Sequence, residues 1–168
     1  MTAFVAMLRA VNVSGTGKLP MSELRGMGEA CGFANVRTFI ASGNLLFDSD
    51  LPEAKARERI AQEVEGFFGK AVPVFVRSAA EMAAVAADNP FEDDKPSRVM
   101  AHFIAEQPTK AMLDAATGAS GERMALGRRV IYVSYGEGIG RSKLKILAVG
   151  QGTARNMNSV ARMASLLA

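Results

Sequence analysis

At 168 residues and 49% hydrophobic content, the chain is long enough to bury a substantial core, as one compact domain or as two small fused halves. The 7% aromatic content and the absence of tryptophan argue against a broad stacking surface for single-stranded nucleic acid. No apolar run reaches the length of a membrane span, and Ala3–Leu8, cut short by Arg9, is too brief for a signal peptide. One cysteine, Cys31, excludes an internal disulfide and fits a reducing cytoplasm.

The net charge of +3 conceals a polarity. Residues 48–94 carry 5 basic and 11 acidic side chains, whereas residues 122–168 carry 8 basic and 2 acidic. Such asymmetry points to a face suited to anions, or simply to a solvated basic face.

In chain order, Thr2 to Leu8 reads as a short, apolar, central strand. A Gly-rich loop follows, from Asn12 through Ser14, Gly15, Thr16 and Gly17 to Lys18, and Pro20 opens a helix with Leu24, Met27 and Cys31 on one face. Val36 to Ile40 and Leu45 to Phe47 flank Ser42-Gly43-Asn44 as a hairpin. Pro52 starts an amphipathic helix with Ile60, Val64, Phe67 and Phe68 as its stripe, and Val72 to Val76 is the next strand. Residues 1–77 therefore read β-α-β-β-α-β, the order of a ferredoxin-like half.

Ser78 to Ala87 reads as a short helix with Glu81 in capping-box position, stopped by Asn89-Pro90-Phe91. Beyond it come a strand at Arg98 to Ala105, a helix from Pro108 to about Ala116, and a hairpin turning at Gly127-Arg128. A Gly-rich loop, a helical turn near Leu144 to Leu147 and a last helix from Thr153 complete the chain, with Met157, Val160, Ala164 and Leu167 as its stripe. The fold expected is α+β: two ferredoxin-like halves, residues 1–90 and 91–168, packed as one compact unit.

Three segments carry chemistry suited to anions. In the first loop, Gly17-Lys18 invites a P-loop reading, but Leu19 replaces the required Ser or Thr and Asn12 the first Gly. Arg9, Asn12, Lys18 and the loop amides remain as an anion-binding group, or as an ordinary loop with solvated charges. The second segment is Gly138 to Lys143, where glycines let amides form a concave nest and Arg141, Ser142 and Lys143 add donors. The third is Thr153-Ala154-Arg155-Asn156, read as a helix N-terminus with Thr153 as cap and Arg155 held against the dipole.

Asn44 is read as a turn residue, remote from Arg9 because the first loop and the hairpin turn are expected at opposite sheet ends. His102 lacks a second His or Cys as metal partner, so no metal or cofactor is expected. Cys31 reads as a small buried hydrophobe, and Glu92-Asp93-Asp94 as a solvated acidic loop.

The motifs LRAVNVSGTGKLPMSEL, VRTFIASGNLLF, NPF, YGEGIGRSKL and GTARNMNSV, in this order, resemble those of the bacterial family of domain of unknown function DUF1697. The resemblance implies a cytoplasmic α+β protein of two ferredoxin-like halves and brings no established activity. In the family pattern, counterparts of Arg9, Asn12, Lys18, Asn44, Arg141, Ser142, Lys143, Thr153, Arg155, Asn156 and Asn158 recur. This chain departs from it at Ala10 and Ser14, where Gly is usual, at Met157, where Trp is usual, and at Ser159, where Thr is.

The functional expectation is a cytoplasmic binding domain for a phosphate-bearing partner, either a nucleotide or a nucleic acid backbone, with Arg9, Lys18, Arg141 and Arg155 gathered around one pocket. Two alternatives stand beside it. One is an enzyme acting on a small phosphorylated or carboxylated metabolite, with Ser142 or Lys143 near the chemistry and Glu137 the one acid at hand. The other is a scaffold docking an acidic protein. No membrane partner is expected, and oligomeric state is not legible.

Overall fold

The structure, a computed structural model, describes residues 1–13 and 17–168. Ser14, Gly15 and Thr16, part of the first-loop reading, lie outside the described residues. The chain is α+β, with two four-stranded antiparallel sheets. It divides into two compact units, Met1–Ala79 with Leu166–Ala168, and Ala80–Ser165.

The first unit runs β1 (Thr2–Leu8), α1 (Met21–Ala30), β2 (Ala34–Thr38), β3 (Asn44–Ser49), α2 (Glu53–Phe68) and β4 (Val74–Ser78). Its strand order is β2-β3-β1-β4, so β1 is central as its unbroken apolar run requires. Phe4, Ala6 and Leu8 share a core with Leu45, Phe47, Val74 and Val76 from the neighbouring strands. Leu24 and Met27 of α1 join that core, as do Ala56, Ile60 and Val64 of α2, spaced four residues apart on one helix face. Gly28 lets α1 lie close to the sheet, because a Cβ there would stand 2.8 Å from Val36. Pro20 and Pro52 sit one residue before their helices rather than inside them.

One expectation is overturned here. The first loop and the hairpin turn lie at the same sheet end: Asn12 Nδ2 donates to Ala41 O at 2.8 Å, and Leu8 N to Gly43 O at 2.9 Å. The reason is topological. α1 carries the chain back, so β2 runs parallel to β1 with antiparallel β3 between them, and both strands end at one edge. Asn44 is also more than a turn residue. It is fully buried in β3, and its Nδ2 donates to Phe39 O and Ser42 Oγ, closing the hairpin.

The second unit contains most of α3 (Ala79–Ala87), then β5 (Val99–Phe103), α4 (Lys110–Asp114), β6 (Arg123–Gly127), β7 (Val130–Ser134), β8 (Thr153–Asn156) and most of α5 (Met157–Leu167). Its strand order, β6-β7-β5-β8, repeats that of the first sheet. One sheet face buries Ile131 and Val133 with Ile146, and Leu113, Ala116 and Leu144 pack on them. On the other face Tyr132 is buried and its hydroxyl donates to Val85 O of α3 at 2.7 Å.

The crossover from β7 to β8 differs from the sequence reading. Residues 136–141 and 147–151 form two 3₁₀ segments, and the helical turn expected at Leu144 to Leu147 falls later. The last helix also starts later. Thr153 to Asn156 form a strand paired with β5, so Thr153 is not a helix cap and Arg155 is not in a first helical turn. The cap is Asn156, whose Oδ1 accepts from Ser159 N at 2.9 Å. Alternation explains β8: Thr153 and Arg155 are buried, while Ala154 and Asn156 are half-buried. On α5 the buried stripe is Met157, Val160, Met163 and Leu167, with Met163 in the place expected for Ala164.

Candidate functional site

The second unit brings Arg141, Ser142 and Lys143 together on one cavity of about 410 Å³. Two chain segments wall it. Gly138 and residues 141–143 come from the crossover, and Gly118, Ser120 and Glu122 from the loop before β6. The segments are clasped by a two-residue bridge, in which Thr117 N donates to Lys145 O at 3.0 Å and Lys145 N to Thr117 O at 2.8 Å. Gly118 makes the fit feasible. Its φ is 75°, and a Cβ there would collide with the Lys143 carbonyl.

Charge in this cavity is divided. Arg141 and Lys143 are exposed, and neither side chain pairs with an acid among the described residues. Ser142 Oγ accepts from Leu144 N at 3.2 Å, turning the chain after the cations. Glu122 lines the same cavity from the other segment, with Oε2 accepting from Ser120 N at 2.7 Å. Its charge reaches Tyr135, whose hydroxyl is pushed above the ordinary range first by burial and then by Glu122. Glu137, the acid expected beside the basic motif, instead faces Arg98 at 3.8 Å and does not line the cavity. Glu122 was missed because nothing in its local sequence marks it; only the folded loop brings it to the cavity that Arg141 lines.

Arg155 lies elsewhere in this unit. It is buried in β8 opposite Ala101, and its Nη1 donates to Thr153 Oγ1 at 2.7 Å and Ala154 O at 2.9 Å. Burial lowers its pKa to about 10. Thr153, Arg155 and Asn156 thus make contacts within the strand and at the head of α5, and none lines the cavity of Arg141.

In the first unit, Arg9 lines a smaller cavity, about 200 Å³, with Val11, Gly17, Phe68, Val72, Pro73 and Lys70. Lys70, which the sequence reading passed over, is the second cation there, whereas Lys18 is exposed and off the lining. Asn12 ties the loop: its Nδ2 donates to Leu19 O as well as Ala41 O, and its Oδ1 accepts from Leu19 N at 2.7 Å.

The family model described as protein of unknown function (DUF1697) matches residues 1–132. This chain belongs to the DUF1697 family. The match takes in Arg9, Asn12, Lys18 and the Gly118–Glu122 wall, and ends before Arg141. A solved structure of a conserved bacterial protein, SP0830 from Streptococcus pneumoniae, is similar with TM-score 0.77 and 22% identity, covering 99% of both chains. At that identity the likeness establishes the fold. Comparison with curated proteins finds no match.

Other residues of this DUF1697 chain have structural partners. Cys31 is buried and its thiol pKa is raised to about 11, mainly by burial, which leaves it a poor nucleophile. His102 Nε2 lies 3.1 Å from Tyr135 Oη, and burial lowers its pKa to about 4, so the ring is neutral at pH 7. The acidic loop is solvated at Glu92 and Asp93, and it also serves as a clasp. Asp93 takes both Arg123 Nη groups at 3.0 Å, and Asp94 accepts from Ser134 Oγ at 2.7 Å and Gly136 N at 3.2 Å. No cluster of three metal-ligating side chains, and no helix able to cross a membrane, occurs among the described residues.

Proposed function

We propose that this DUF1697 chain is a binding domain for a phosphate-bearing ligand, seated against Arg141, Ser142 and Lys143. The observation that supports this most is the pair of cations without acidic partners on one cavity, beside the glycine-rich segment 136–141. Two such charges suit a phosphate better than a neutral solute. Nucleotides and nucleic acid backbones both carry that group. In this reading Asn12, Thr153, Arg155 and Asn156 hold the frame, and Arg9 with Lys70 offers the first unit a smaller anion pocket.

The reading extends to location and architecture. Each sheet with its crossovers is taken as a ferredoxin-like half, divided near residue 90, and the lone thiol suits a cytoplasmic protein.

The test is a titration with inorganic phosphate, followed by amide chemical shifts at two salt concentrations. Shifts should concentrate on residues 118–122 and 136–144, and binding should weaken with salt. Arg141→Ala should cost about tenfold in affinity, in line with losing one charge-assisted hydrogen bond. Arg57→Ala, on the acidic helix α2, should cost almost nothing; equal losses in both would refute the site.

A further inference from the structure

We propose that Glu122 makes the Arg141–Lys143 cavity selective for a small phosphorylated polyol, a sugar phosphate or nucleoside monophosphate, over a nucleic acid strand. The inference rests on the phosphate-binding reading of the same cavity and deepens it. Its basis is the division of charge across the site. Arg141 and Lys143 lie on one wall and the Glu122 carboxylate on the other, within a volume of about 410 Å³ that lies in the range of small-molecule sites.

Glu122 is only half spent. Oε2 accepts from Ser120 N, while Oε1 has no hydrogen-bond partner among the described residues. A carboxylate accepts and never donates, so its free oxygen suits a hydroxyl. A vicinal diol bound by a carboxylate is a general way to recognise a ribose. The hydroxyls of Ser120 and Ser142 on the same lining add adaptable donors and acceptors for further sugar oxygens.

The same carboxylate works against a strand. A polynucleotide that placed one phosphate on Arg141 would bring its neighbours toward the acidic wall, where like charges repel. A monophosphate has no second phosphate to lose. Its anion meets the cations and its diol meets the acid, so each end of the ligand finds its complement.

The experiment is calorimetric titration of the whole chain with three probes at fixed ionic strength: inorganic phosphate, ribose 5-phosphate and single-stranded oligothymidylate. Ribose 5-phosphate should bind about tenfold tighter than phosphate, and the oligonucleotide no tighter than phosphate. Glu122→Ala should erase the ribose advantage to within about twofold and strengthen oligonucleotide binding. Glu122→Gln retains an acceptor for Ser120 N and guards against a collapsed loop; it should lose most of the advantage, because a neutral acceptor forms the weaker bond.

The outcomes separate the two claims. Phosphate and ribose 5-phosphate binding alike, or an advantage that survives in both variants, overturns the selectivity and leaves the phosphate site standing. Oligonucleotide binding tighter than either small probe in the wild type also overturns it. If none of the three probes binds, the phosphate site itself falls, and the selectivity with it.

Discussion

The two units carry the same strand order on different crossovers. In the first, the path from the third strand to the fourth is α2, sixteen residues of continuous helix. In the second, a stretch of equal length, residues 136–151, forms two 3₁₀ segments with a loop between them. Composition accounts for the difference. Residues 53–68 hold one glycine, Gly66, whereas 136–151 hold Gly136, Gly138, Gly140 and Gly150. Each glycine costs a helix interior about 1 kcal/mol relative to alanine, so helix is not competitive in the second stretch. The sheet needs a connection there and not a helix. What the irregular path sets on a cavity wall instead is two cations, Arg141 and Lys143.

The largest way to break this comparison is to truncate the same residue in each crossover. Ile60 is fully buried on α2, and Ile146 is nearly so between the 3₁₀ segments. Ile60→Ala should cost about 3–4 kcal/mol in urea unfolding, since a helix fixed at both ends leaves its cavity open. Ile146→Ala should cost about 2 kcal/mol, because neighbouring loop residues are freer to settle into the gap. An equal or larger loss at Ile146 would show that the 3₁₀ crossover is as rigid as the helix.

A smaller effect concerns how the irregular crossover is anchored. Asp94 holds its start, accepting from Gly136 N and Ser134 Oγ. The Ser134 hydrogen bond comes first among the causes that lower its carboxyl below the usual 3.8. A depressed folded pKa means the stabilisation is complete above the unfolded value and is lost as pH falls through the folded one. Unfolding measured from pH 7 downward should therefore show a plateau and then a decline below about 3.8. Asp94→Asn should lower the plateau and flatten that decline. Asp93, lowered in the same direction by Arg123, should supply the slope that remains.

This contrast also explains what the sequence made legible. Regular elements announce themselves by period: Ile60 and Val64 mark α2, and the run Phe4 to Leu8 marks β1. The crossover of the second unit has no such period, so its helical turn was expected at Leu144 to Leu147 rather than 147–151. β8 was hidden because it is short and opens with Thr153, which looks like a helix cap; its pairing with β5 outweighs that local signal. Arg141, Ser142 and Lys143 were legible because they are contiguous. Glu122 and Lys70 were not, since each meets its cationic neighbour only through topology. Asn44 shows the same lesson from the other side: its place beside the first loop follows from the parallel run of β1 and β2, a property of the crossover and not of any nearby residue.

The smallest effect lies in the first unit, in the loop after β1. Ala10 has φ 53°, the left-handed region where a Cβ crowds the following carbonyl, and its side chain is exposed, so no packing offsets the strain. Asn12 has φ 57° in the same loop, but Asn tolerates that region and its amide is tied to Leu19 and Ala41. Gly is the residue that this backbone angle favours. Ala10→Gly should raise stability by about 0.5–1 kcal/mol, the relief of strain exceeding the added freedom of the unfolded chain. For a chain of this size that corresponds to a thermal midpoint higher by about 1–4 °C. A fall in the midpoint would mean that the Ala10 side chain contributes contact energy that its exposure does not reveal.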